Sequence, residues 1–321
     1  MRIVKAGFER ITEKDPIKKI EQIARVCYKS EDKICEGSAV KMVGALVRSN
    51  HYAMLEHGSI IMEVGVEAYS FIINTIRKLQ EEYGVESMLR YTDVLYSGRY
   101  IVSGNLRMWL EFVEYISMLH LPMYGGIWKA LEADKYKPVF DAYRWENLTG
   151  GDMVKVVDPE YLTDKERLVH EDLSIKFIVD RGVSHEIVRH RKASFAQEST
   201  RYCNYGKSGE VVFVEPPFIR TSGGVLLAKG VSWKYAMQNS EISYLDMISK
   251  GCKPQEARDV LPTSVKTELV MTANLKEWIH FFDLRALGTT GAPHPQMLEV
   301  AVPAMQDVIS DHKFLEDYLE V

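Results

Sequence analysis

The chain has 321 residues, of which 46% are hydrophobic, 10% aromatic and 26% charged, a balance that excludes a disordered, collagenous or coiled-coil protein. No stretch of 18 or more apolar residues occurs, which excludes a transmembrane helix. Lys and Arg total 40 against 45 Asp and Glu, for a net charge of −5, so the field of the whole chain does not point to nucleic acid.

The opening MRIVKAGFERITEKD lacks the apolar block of a signal peptide, and a cytoplasmic, non-membrane protein is expected. Cys27, Cys35, Cys203 and Cys252 are scattered without any Cys-x-x-Cys, which indicates neither a disulfide framework nor a zinc ribbon.

In chain order, Asp15-Pro16 reads as a helix N-cap followed by a proline at the first helical position. Ile17, Ile20, Ala24 and Cys27 then follow helical spacing, and a second helix starts at Ser38. Ile60, Met62, Val64 and Val66 alternate as a half-buried strand, as do Leu173, Ile175, Phe177 and Val179. Between 68 and 172 the pattern is less regular, with turn signals that include Gly125-Gly126 and Gly150-Gly151. A compact helix is expected from Ser184 into His190-Arg191, and a short strand at 211–214 stopped by Pro216-Pro217. Long helices are predicted over 232–250, 275–285 and 295–318. This is an α/β (α+β) pattern: a mixed or antiparallel sheet flanked by long helices.

One stretch stands apart, residues 189–202, RHRKASFAQESTRY. Its cations are interleaved with the Ser194, Ser199 and Thr200 hydroxyls and the Gln197 amide. Arginine offers a planar fork of donors that matches phosphate and the acceptor edge of a base. A basic segment can also be no more than a solvated turn, but surface charge needs no such ordered spacing. Nearby, His185-Glu186 and His190 resemble the zinc motif H-E-x-x-H with one residue too many. A five-residue step sets two imidazoles about 140° apart on a helix, so no metal site is predicted. Glu186 and His185 stand where either can orient Arg189. There is no G-x-G-x-x-G and no P-loop, so a cofactor pyrophosphate has to be held in another way. Asn274 stands where it can cap the following helix.

The spacing R-H-R-x-x-S-x-x-x-x-S-x-R-Y at 189–202 resembles the motif of the flavin-dependent thymidylate synthases. HYAMLEH at 51–57 is similar to the family's H-E-x-x-x-E-H stretch. Residues 258–285, with ARDVLP and then NLKEWIHFFDLR, are similar to its third block. The resemblance covers about half the chain, in the family's order. It implies an enzyme that binds FAD and methylates dUMP to dTMP, with methylenetetrahydrofolate as carbon donor and NADPH as reductant. It also implies a homotetramer whose active sites are shared between subunits. Carried over by position, dUMP would be contacted by Glu186, Arg189, Gln197, Glu198, Ser199, Thr200, Arg201, Arg258 and Arg285. FAD would be contacted by Ala53, Arg189, His190, Arg191, Gln197, Asn274, Lys276 and His280.

By the same resemblance, His51 would lie near the reactive part of the isoalloxazine and Arg285 would favour ionisation of the uracil. Ser199, grouped with Arg285 and His51 as catalytic, has no sequence-local base beside it, so its expected part is to position substrate. Methylation at C5 needs electron density there, and an arginine beside the base stabilises the charge that supplies it. Such a pair at roughly 4 Å and an effective dielectric near 20 is worth about 4 kcal/mol before desolvation. The resemblance assigns no nucleophile to Cys203. Residues 1–321 read as a single catalytic domain, within which 68–172 is an insertion or accessory subdomain, with Trp109 beside the site. The competing readings are a family member acting on another pyrimidine nucleotide, and a non-enzymatic nucleotide or RNA binder that stacks bases on Phe195, Tyr202 and Tyr205.

Overall fold

The computed structural model describes residues 1–84, 92–96, 98–151, 153–221 and 223–319. Its strands are β1 (Arg2–Val4), β2 (Gly7–Ile11), β3 (Ser59–Val64), β4 (Thr92–Tyr96), β5 (Tyr100–Asn105), β6 (Met123–Tyr124), β7 (Leu148–Thr149), β8 (Val154–Val156), β9 (Asp172–Asp180), β10 (Ser194–Gln197), β11 (Val212–Val214) and β12 (Lys266–Asn274). Two four-stranded antiparallel sheets dominate, ordered β10-β12-β9-β2 and β4-β5-β3-β8. The short strand at 211–214 finds its partner at the N-terminus, where β1 and β11 run parallel.

The centre of the first sheet is the pairing of β9 with β12 along their full length, from Asp180↔Lys266 to Asp172↔Asn274. One face carries Ile175, Phe177, Val179, Leu269 and Met271. These pack on Trp278, Phe281 and Phe282 of the helix Leu275–Phe282 and on Met297, Val300, Ala304 and Met305 of the helix Pro295–Asp311. The opposite face offers Ala196 and Val270 to the helix Pro16–Tyr28. That helix starts as its sequence predicts: the Asp15 carboxylate accepts from the amides of Ile17 and Lys18, with Pro16 at the first position.

The segment 68–172 does not bury a core of its own. It adds β4, β5 and β8 to the sheet around β3. Its side chains Ile72, Ile76, Phe112, Ile127 and Phe140 share one cluster with Ile20, Val43, Leu55 and Met62. Trp109, expected beside the site, is fully buried in that cluster, on the helix Leu106–Met118. Gly125-Gly126, expected as a turn, opens the helix Gly125–Leu131.

The remaining corrections have local causes. The helix expected from Ser184 to Arg191 is Arg181–Ile187, because the Asp180 carboxylate accepts from the Val183 amide at 2.8 Å and starts it earlier. Residues 188–193 then turn the chain back onto β10. The helix expected over 275–285 stops at Phe282 and continues as a wider π turn, Asp283–Leu287, closed by Gly288 at φ 71°. The last long helix ends at Asp311 rather than near 318. His312 leaves helical geometry and is fixed by hydrogen bonds from its ring to the Val308 carbonyl and the Glu171 carboxylate, both at 3.0 Å.

The helix Ala228–Ser249 starts before Ser232. Gly230 lets it do so: a Cβ there would come within 2.7 Å of the Ile219 carbonyl oxygen. This helix is apolar on two sides. Met237 and Tyr244 are buried, whereas Val231, Tyr235 and Ile242 are 58%, 67% and 64% exposed. No helix among the described residues is long and apolar enough to cross a membrane.

Candidate active site

Residues 189–202 follow the helix Arg181–Ile187 and are folded as two pieces: the turn 188–193, and β10 with the loop that follows it. β10 is held to β12 in the register Ser194↔Thr272 to Gln197↔Leu269, and the Glu198 amide extends the ladder by donating to Glu268 at 2.8 Å. The Ser199 amide donates to the Cys27 carbonyl at 3.0 Å, which fixes the loop on the helix Pro16–Tyr28. The end of that helix therefore packs against residues 199–203, the Cys203 thiol also facing the Cys27 carbonyl at 3.7 Å.

The predicted residues fall into two clusters. In the first, Arg285 on the π turn donates from Nε to Nε2 of His190 at 3.1 Å. Its Nη1 reaches the Glu186 carboxylate at 3.3 Å, and its Nη2 donates to the Glu186 carbonyl at 3.2 Å. The His190 ring is buried beside Phe281 and His280, at centroid distances of 4.9 and 5.9 Å. Burial, then the charge of Arg285, holds His190 down at about 4. It is therefore a neutral ring whose Nε2 lone pair faces the guanidinium. Glu186, expected to orient Arg189, orients Arg285 instead. Arg189 and His280 are exposed at this end, as is Arg191, and Arg189 makes no ion pair among the described residues.

In the second cluster, Gln197 donates to Ser184 Oγ at 2.9 Å and to Thr267 Oγ1 at 3.2 Å. Arg181 reaches Thr267 and Thr200 hydroxyls, each at 3.5 Å. Ser199 Oγ accepts from the Arg201 amide at 3.3 Å, and the Arg201 guanidinium lies against the Tyr202 ring and donates to Gln255 at 3.3 Å. Gln255 belongs to the turn Pro254–Ala257 that leads into exposed Arg258, so the third sequence block reaches the loop through this contact.

The two clusters are back to back. Ser184 and Glu186 are two residues apart on one helix, so their side chains diverge by about 160°. One chain thus does not wrap all of the predicted dUMP contacts around a single ligand.

Glu198 faces inward. Its carboxylate is 1% exposed and receives Lys266 at 3.1 Å, Lys29 at 3.5 Å and the Tyr205 hydroxyl at 2.9 Å. Lys29 and Lys266 also pair with Glu268, which they hold down at about 2 against the opposing effect of burial. Cys203 is buried, with its thiol pushed up to about 11 by burial and then by the charge of Glu198, which makes it a poor nucleophile at neutral pH.

Among the residues expected at the cofactor, Asn274 caps its helix, accepting from the Glu277 amide at 3.0 Å and donating to the Val169 carbonyl. His51 and Ala53 are exposed at the start of the 3-10 turn Tyr52–His57, and Lys276 is exposed on the helix Leu275–Phe282. Glu56 on that turn accepts from Ser194 Oγ at 2.9 Å and so ties it to the signature. A groove of about 70 Å³ runs here between Glu56, Ser103, Asn105, Lys192, Ser194 and Asn274. Beneath it, His57 is buried and shares a 2.7 Å hydrogen bond with Thr272, which binds Ser174 in turn. Burial, then the charge of Lys19, holds His57 down at about 3.

Sequence reasoning missed Arg181, Ser184 and Thr267 as polar partners of the signature. Nothing in a linear pattern announces them, because they meet Gln197 and Thr200 only through the β9–β12–β10 register.

Residues 160–308 match the family model described as thymidylate synthase complementing protein. The flavin-dependent thymidylate synthase of Pyrococcus horikoshii is 32% identical over 177 residues, 54% of this chain and 70% of that one. The chain belongs to the flavin-dependent thymidylate synthase family. The corresponding protein of Thermococcus kodakarensis is 34% identical over 150 residues, 44% of this chain and 60% of that one. A solved UMP/dUMP methylase from Streptomyces cacaoi, bound with 5-Br dUMP, aligns over 99% of this chain and 97% of its own with 15% identity and a TM-score of 0.42. In this flavin-dependent thymidylate synthase family member, residues 189–202 lie on the turn after the helix Arg181–Ile187, on β10 and on the loop that follows it.

Proposed function

We propose that the protein is an FAD-dependent thymidylate synthase that converts dUMP to dTMP, with methylenetetrahydrofolate as carbon donor and NADPH as reductant, in the cytoplasm. Family membership supports this reading. The observation that carries it is the fixing of Arg285 by Glu186 and neutral His190. A guanidinium held on all three nitrogens is preorganised, and one carboxylate at 3.3 Å leaves its charge incompletely satisfied at the more distant edge. Facing the O2/N3 edge of a uracil, it would stabilise the charge that makes C5 nucleophilic.

The residues present fit a flavin. Exposed Arg189, Arg191 and Lys276 supply cations for a diphosphate, and the Asn274 and Ser194 edge of the groove supplies polar atoms for a ring system. Arg189 to Arg191, Ala53, Gln197, Asn274, Lys276 and His280 would hold FAD, with His51 beside its ring. Bound there, FAD supplies hydride chemistry that side chains lack. Ser199, Thr200, Arg201 and Arg258 would hold dUMP from one subunit, and Glu186, Arg189 and Arg285 from another. The back-to-back clusters, the narrow single-chain groove and the exposed Val231, Tyr235 and Ile242 all support a homotetramer with shared sites. The segment 68–172 would be an insertion fused into the catalytic core.

The test is to load the protein with FAD and assay dUMP with methylenetetrahydrofolate and NADPH. Stoichiometric FAD uptake and dTMP formation are expected. A folded protein that takes up no flavin would defeat the reading.

A further inference from the structure

We infer that Arg181 is a further specificity-determining residue of this site, an anion clamp that takes the phosphate of the nucleotide from beneath the loop 199–201. The inference deepens the reading above and rests on it for the identity of the nucleotide. Four observations carry it.

Arg181 makes no ion pair among the described residues, although it is part-buried. Its neighbours are neutral: Thr200 and Thr267, which also anchor or adjoin Gln197 and Ser184. Glu198 and Glu268, next in sequence to Gln197 and Thr267, are already matched by Lys29 and Lys266, and the Asp180 carboxylate accepts from the Val183 amide and Gln296. That leaves the guanidinium of Arg181 beside Thr200 and Thr267 with no ion pair among the described residues. The backbone of Arg181 is fixed, because its amide donates to the carbonyls of Thr263 at 2.8 Å and Val265 at 3.2 Å.

The orientation follows from the helix. Arg181 and Ser184 are three residues apart and project within about 60° of each other, so Arg181 lies on the Gln197 and Thr200 side and not on the Glu186 side. Arg201 approaches the same loop from its exposed face. The Arg181 guanidinium thus reaches the Thr200 hydroxyl on the side away from Glu186, next to Ser199, whose Oγ is held by the Arg201 amide. A guanidinium with two hydroxyls is a donor set suited to a phosphate monoester and in excess of what a neutral nucleoside needs. The long 3.5 Å contacts to Thr200 and Thr267 are ones a phosphate oxygen would readily replace.

The experiment compares wild type, Arg181→Lys and Arg181→Gln for binding of dUMP, deoxyuridine and inorganic phosphate, with thermal melts alongside. For Arg181→Gln, dUMP affinity is expected to fall on the order of 10- to 100-fold, phosphate binding to fall with it, and deoxyuridine binding to stay unchanged. Arg181→Lys, which keeps the charge and loses the fork, should recover part of the dUMP loss. Equal losses for dUMP and deoxyuridine would show a structural role and overturn the assignment, as would unchanged dUMP and phosphate binding in Arg181→Gln. If wild type binds phosphate in an Arg181-dependent way but discriminates against dUMP, the nucleotide reading fails and the clamp stands.

Discussion

Arg285 donates from Nε to Nε2 of His190 across 3.1 Å, between residues 95 positions apart in the chain. The geometry requires the His190 ring to be neutral and to carry its proton on Nδ1. It also makes the charge of Arg285 part of the reason for that neutrality. Arg285→Ala should therefore let the His190 pKa rise from about 4 toward the ordinary histidine range, observable by NMR titration of the ring. The same variant should lose dUMP turnover by at least the worth of a charge-assisted hydrogen bond, about 1.5–3 kcal/mol. An unmoved His190 titration would break the link.

Arg201→Ala should weaken dUMP binding by about 1.5–3 kcal/mol with little change in stability, because its side chain is exposed and, among the described residues, is held by Gln255 and the face of Tyr202. Titration of the FAD-loaded protein with dUMP measures it. Unchanged affinity would remove Arg201 from the site.

Glu198→Ala should act on folding and not on substrate contact. Removing one partner from a buried ion cluster leaves Lys29 and Lys266 partly uncompensated and should cost about 3–5 kcal/mol, with Glu198→Gln milder because it retains an acceptor for Tyr205. Denaturant melts give the number. A Glu198→Ala protein of normal stability that fails only in dUMP binding would contradict the inward placement of this carboxylate.

Stability should fall on mild acidification. His57, His170 and His190 are held down at about 3, 4 and 4, each chiefly by burial. Their stabilising contribution is complete above the unfolded value near 6.5. It is lost as pH falls toward 4, because the unfolded chain then accepts protons that the folded chain refuses. Each such histidine costs about 1.4 kcal/mol per pH unit across that window. Tm measured between pH 7.5 and 4.5 should decline in it, and a flat Tm would be inconsistent.

Much of this was legible because it is local. The Asp15-Pro16 cap and the β9 alternation are short-range patterns, and each has its counterpart in the fold. What was not legible depends on chain separation. Glu186 looked like a partner for Arg189 because both lie within one helical turn, yet the π turn brings Arg285 to it from 99 residues away. Glu198 sits inside the motif and reads as a contact residue. Its burial follows from Lys29 and Lys266, which arrive from a helix end and from β12. Arg181 was invisible because its significance lies in the carboxylate that does not approach it.

The most direct measurement is tritium release from dUMP labelled at C5, with the FAD-loaded protein, with and without methylenetetrahydrofolate. Release that depends on flavin, matches dTMP formed in the complete mixture and collapses in Arg285→Ala is the predicted result. A folded, flavin-loaded protein that releases no tritium from dUMP under any of these conditions would contradict the account.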